Sequence, residues 1–196
     1  MATFATLKTS LSDRGFSYLS DTRLGEYVNL GYTRVCEAHP WIWTQATATG
    51  NAPLTIATLG QVLSVVDTTN KTPLTVVERD EVIDDMGADL TVTGTPSVAY
   101  RSAETVVSVY PVATVALSVR HCAVPAALTG TDTPILPSRY HLHIVDAAVV
   151  EAYLDADDPA AAGAEAVLEK KLDRMRDFHD WNRANPGYMQ SASQDY

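Results

Sequence analysis

Apolar residues along this chain recur with two periods, helical at both ends and strand-like in the middle. Phe4, Leu7 and Leu11 repeat at i, i+3 and i+7, and Gly15 follows where a helix needs a left-handed stop, so a short amphipathic helix is predicted there. Ser20 or Asp21 can cap a second helix whose apolar face is Leu24, Val28, Gly31, Val35 and Ala38, with Pro40 ending it. Gly25 and Gly31 within it predict close packing on another backbone, because glycine otherwise destabilises a helix interior by about 1 kcal/mol. Trp41-Ile42-Trp43 then marks the change of period and reads as a core plug.

From Thr44 onward short β-prone runs take over: Thr44–Thr49, Leu54–Ala57, Gln61–Val66 and Leu74–Val77, with Gly50-Asn51, Gly60 and residues 68–73 read as turns. An acidic stretch from Glu78 to Asp89 carries Val82, Ile83 and Met86 at helical spacing and predicts a short helix lying on the sheet. Next comes a β-meander over Thr93–Ala113, with a Gly94-Thr95-Pro96 turn, a strand ending at Tyr100, a polar break at Arg101–Glu104 and a β-branched run closing on Tyr110-Pro111. Thr114–Val119 is a further strand, and 123–137 an irregular crossover with three prolines.

Pro137 sits in the first turn of a helix that is apolar over most of its circumference, leaving a narrow strip through Arg139, His143 and Asp146. Such a helix must be covered on several sides, by its own domain or by neighbouring subunits. Asp158 and Pro159 start a final helix running to about Ala184, with Leu168, Leu172 and Met175 inward and a charged outer face. The fold class predicted is α+β: a helical bundle from 1–43 and 137–184, an inserted antiparallel β domain at 44–136 with a short acidic helix near 79–87, and a tail at 185–196.

Composition narrows function more than it defines it. With 196 residues, 46% hydrophobic and 19% charged, the chain supports a folded globular protein. No basic-then-apolar leader opens it and no apolar run approaches the roughly 18–20 residues that cross a bilayer, so neither export nor membrane insertion is expected. Cys36 and Cys122 show no disulfide framework and point to a reducing compartment. A net charge of −10 argues against a grip on nucleic acid, since phosphate affinity comes from lysine and arginine.

Catalytic motifs are missing: there is no G-x-S-x-G elbow, Walker loop or G-x-G-x-x-G fingerprint. The acidic stretch places Val82 and Ile83 where a calcium loop needs oxygen ligands, so it reads as a solvated helix face. His141 and His143, two apart, point roughly 200° away from each other on a helix, and His143 is expected to pair with Asp146. Cys36 with His39, or His121 with Cys122, lacks the paired spacing of a zinc site. The expectation is no enzyme, no cofactor and no metal. Two alternatives stand beside it: a small metal-dependent hydrolase built on Cys36, His39, His121 and His141, and a ligand-binding α+β module that stacks its ligand on Trp41 and Trp43.

The order of features resembles the head-to-tail adaptor proteins of tailed bacteriophages. The resemblance is carried by the early helix and Trp41-Ile42-Trp43, the acidic helix leading into Thr93-Gly94-Thr95-Pro96 and Tyr100, and Val109-Tyr110-Pro111. It continues through Ile135-Leu136-Pro137, Arg139-Tyr140-His141 and the alanine-rich Ala147–Tyr153 helix with the charged helix after it, spanning roughly Ser20 to Arg183. It implies a structural virion protein, made in the host cytoplasm and placed in the neck. There a ring, commonly twelve-membered, binds the portal protein and a downstream connector or tail protein, and DNA passes through without specific binding. It carries over no catalytic residues. Candidate ring or partner contacts are Tyr140, Ile144, Tyr153, Phe178, Trp181, Tyr188 and Tyr196, with Glu81, Asp84 and Asp85 as candidate lumen or surface acids.

Overall fold

The computed structural model describes residues 2–86 and 90–184, with backbone alone for Asp85, Met86 and 181–184. Among the described residues the fold is α+β, with five α-helices and one seven-stranded, mostly antiparallel sheet. In chain order these are α1 (Phe4–Leu11), α2 (Asp21–Glu37), β1 (Gln45–Asn51), β2 (Leu54–Thr55), β3 (Leu59–Asp67), β4 (Thr72–Val77) and α3 (Arg79–Met86). Then follow β5 (Val98–Ala103), β6 (Val106–Tyr110), β7 (Ala116–Ala123), α4 (His141–Asp155) and α5 (Ala160–Ala184). The chain divides into two compact units, Met1–Trp43 with Pro125–Tyr196, and Thr44–Val124.

In the first unit, local chemistry sets each helix end. Thr3 and Thr6 form a reciprocal capping box ahead of α1, and Gly15 takes φ +102° in the π-turn that follows. Ser20 caps α2 by accepting from the Arg23 N–H, and Asp158 accepts from the Ala160 N–H at the start of α5. Pro137 precedes a 3-10 turn at Ser138–Tyr140, so α4 proper begins only at His141, after the turn that the proline opens.

These helices share one core in which Phe4, Leu7 and Leu11 meet Val28, Tyr32 and Val35 of α2, Ile144 and Val145 of α4, and Leu168, Leu172 and Met175 of α5. Gly31 lets α2 and α4 touch backbone to backbone: a Cβ there would lie 2.5 Å from Ala148 N and 2.6 Å from Ile144 O. Arg34 of α2 bridges Glu151 of α4 and Glu165 of α5; burial alone lowers its guanidinium, but these two carboxylates outweigh that and raise it. The crossover from Pro125 belongs to this unit rather than to the sheet. Asn29 exchanges two hydrogen bonds with the Leu128 main chain, the Phe4 N–H donates to Asp132 O, and Leu128 and Leu136 are buried among the helices.

The second unit holds the sheet, in the order β1-β7-β3-β4-β5-β6-β2. Among the described strands β4 and β5 alone pair in parallel, with α3 in the connection between them. Ile56, Leu59, Val65, Leu74, Val107, Val109, Leu117 and Val119 form its core. Helix α3 lays Val82 against Val98, Tyr100 and Tyr110, as its modest apolar stripe requires.

Three turn expectations are corrected. Gly50-Asn51 lies in β1, paired with Leu117 and Ala116, and Gly60 lies in β3 at an irregularity where a Cβ would meet Cys122 O at 2.6 Å. Arg101–Ala103 continue β5, the Arg101 guanidinium capping the following turn through Glu104 O.

Candidate assembly surface

Helix α4 shows what the helical unit keeps inside and what it leaves out. The strip Arg139, His143 and Asp146 does not simply face water. Asp146 accepts from Arg14 in the turn after α1 and from Lys171 of α5, and it is only 10% exposed. Burial pushes its carboxyl up, but these two cations outweigh that and hold it below the ordinary carboxylate range. His143 Nδ1 stands 3.8 Å from Asp146, near but not hydrogen-bonded. Burial lowers the His143 imidazole and Lys171 adds to the effect, against the opposing pull of Asp146, so the ring is neutral at pH 7.

The apolar residues that remain outside are large. Leu142 is 57% exposed and Phe178 39%, and Leu30, Leu154 and Val167 are about half exposed as well. Exposed leucines are ordinary singly, and as a group these residues are candidates for contact with other subunits.

The candidate contacts distribute unevenly over this unit. The Arg139 guanidinium lies 4.8 Å from the Tyr140 ring and 4.4 Å from that of Phe178, which links the turn before α4 to α5. Tyr153 is half buried against Phe16, twelve or so residues further along α4 and so about 20 Å away. Ile144 is wholly buried in the unit's own core, which leaves none of its side chain for a neighbour. Trp181 lies in α5 with its side chain outside the described set, and Tyr188 and Tyr196 lie outside the described residues. In the second unit Glu81 and Asp84 are exposed on α3, while the Asp85 side chain is outside the described set. Leu142 escapes sequence reasoning because the all-round apolar α4 does not reveal which of its faces its own domain covers.

The residues of the two alternative readings are occupied within their own units. His141 is saturated, its Nε2–H donating to Leu136 O and its Nδ1 accepting from the Ala2 N–H. Burial pushes the Cys36 thiol up to about 12, the reverse of what a metal-binding thiolate needs. His121 belongs to β7 of the sheet unit, and Cys36, His39 and His141 to the helical unit. Trp41 is fully buried, its Nε1–H donating to Val35 O and its ring stacked on Trp43 at 5.1 Å, so it offers no face to a ligand.

The matching family model settles what kind of protein this is: that of the SU10 adaptor protein covers residues 2–190. The chain belongs to the SU10 adaptor protein family. It is a bacteriophage head-to-tail adaptor, a structural component of the virion, as the resemblance implies. No curated protein matches the chain. No helix among the described residues is long and apolar enough to cross a membrane.

Proposed function

We propose that this adaptor works as a homo-oligomeric ring, twelve-membered by family resemblance, that joins the portal to the next connector or tail protein and lines the DNA channel in the virion neck. Its architecture in that role is a helical bundle carrying an inserted β domain. The observation that carries the reading is the set of large apolar side chains, Leu30, Leu142, Leu154, Val167 and Phe178, left exposed on a helical unit whose core is already filled. A head-to-tail ring covers such residues by repetition of one heterologous contact. The charge supports the channel: with 24 acidic against 14 basic residues the surface repels phosphate and lets DNA slide. Glu81, Asp84 and Asp85 are assigned to the lumen or an exposed ring surface, and a ring reconstruction placing α3 at an inter-ring contact refutes that assignment.

The test is electron microscopy of the purified chain with purified portal. The parent protein is expected to give rings seated on the portal, and Leu142→Glu to give none while keeping its helical signal. A Leu142→Glu protein that still forms portal-bound rings removes the apolar surface from the account.

A further inference from the structure

His39, in the turn after α2, meets His179 and Asp180 of α5, a grouping that spacing in the sequence does not suggest. Their ligand atoms all lie within 4.8 Å of one another. Asp180 Oδ1 is 3.2 Å from His179 Nδ1 and 3.4 Å from His39 Nε2. Tetrahedral coordination with bonds of roughly 2.0–2.2 Å sets ligand atoms about 3.3–3.5 Å apart, so two edges of a coordination tetrahedron are close to their final length. Trp41 packs at 4.6 Å from the His39 ring and edge-on to His179, and Trp43 stands edge-on to His179 at 5.6 Å, which restrains both imidazoles. Asp180 is 58% exposed and leaves a coordination position open to water.

We propose that His39 Nε2, His179 Nδ1 and Asp180 form a binding site for a borderline divalent transition ion such as zinc or cobalt. The ion clasps the turn after α2 to the C-terminal part of α5. Two imidazoles and one carboxylate select such ions over calcium or magnesium, which prefer oxygen. The opposing cation nearby is Arg176, which is itself engaged by Asp173, Glu169 and Ala38 O.

The protons balance in a way that gives the site a signature. Without metal, the Ile42 N–H donates to His179 Nε2, so the ring proton sits on Nδ1 and points at Asp180. Metal at Nδ1 moves that proton to Nε2, and two donors then face each other. The Ile42 hydrogen bond is given up, with no net proton released from His179.

The experiment is a cobalt(II) titration of the tag-free full chain at pH 7.5, read by visible d–d absorbance and by hydrogen exchange at the Ile42 amide, with zinc as competitor. One equivalent per chain is expected, displaced by zinc, with Ile42 protection lost on binding. Affinity should fall at least tenfold in His39→Gln and in Asp180→Asn; Asp180 is 58% exposed, so Asp180→Asn is the variant expected to keep the fold, and far-UV circular dichroism checks both. No band at millimolar cobalt, binding as tight in either variant as in the parent, or unchanged Ile42 protection overturns the proposal.

Discussion

Replacing Gly31 with alanine tests the packing at the centre of the helical unit. In isolation Gly→Ala inside a helix stabilises by about 1 kcal/mol. At Gly31 the new methyl would sit 2.5 Å from Ala148 N, 2.6 Å from Ile144 O and 3.1 Å from Ala147 C, all main-chain atoms of α4. Normal contacts are about 3.5–4.0 Å, so α4 must back away from α2 by about 1 Å. It cannot do so freely, because Ile144, Val145 and Ala148 are fully buried in the core shared with α5. Overpacking of this severity costs about 3 kcal/mol, the upper part of the usual range, so after the propensity gain the net loss is about 2 kcal/mol. For a chain of this size that lowers the thermal midpoint by roughly 4–8 °C, followed by circular dichroism at 222 nm. Gly163 in α5 is the internal control: no heavy atom lies within 4 Å of its would-be Cβ. Gly163→Ala should therefore raise the midpoint by roughly 2–4 °C, the propensity effect alone. A Gly31→Ala protein as stable as the parent would show that α2 and α4 are not in backbone contact.

Two further outcomes follow from the caps and the half-buried His143. Ser20→Ala removes the acceptor for the Arg23 N–H and should cost about 1 kcal/mol in urea unfolding, with Ser20→Asp restoring most of it; equal midpoints for all three proteins would remove the cap from the account. His143 has a depressed imidazole, so its contribution to stability is complete above the ordinary value of about 6.5 and is lost as pH falls below it. Stability should decline from pH 7.5 to 5.5, and less steeply in His143→Gln, where one titrating ring is gone; an identical pH slope in the variant contradicts this assignment.

Local signals made much of the helical unit legible. Phe4, Leu7 and Leu11, the Ser20 cap, Gly15 and the Asp158-Pro159 start each act within a few residues, and each does in the structure what its chemistry dictates. The errors have a common cause, which is a partner distant in sequence. Gly50 and Asn51 look like a turn until Leu117 and Ala116 pair with them, and Gly60 looks like a turn until the Cys122 carbonyl explains why no side chain fits. Residues 125–136 read as part of the β region because their anchors, Asn29 and Tyr32, lie about a hundred residues earlier. The same applies to contacts and sites. Ile144 reads as available because an all-round apolar helix does not declare which face its own unit covers, and His39, His179 and Asp180 are joined only by the packing of α5 on the turn after α2.

The central claim, that the exposed apolar residues of α2, α4 and α5 exist to be covered by other subunits, is tested most directly by native mass spectrometry of the purified adaptor, alone and with purified portal. The account predicts a closed homo-oligomer, twelve copies by family resemblance, formed by the chain alone or on adding the portal. A mass that stays at one chain at every concentration, with the portal present and unbound, contradicts it.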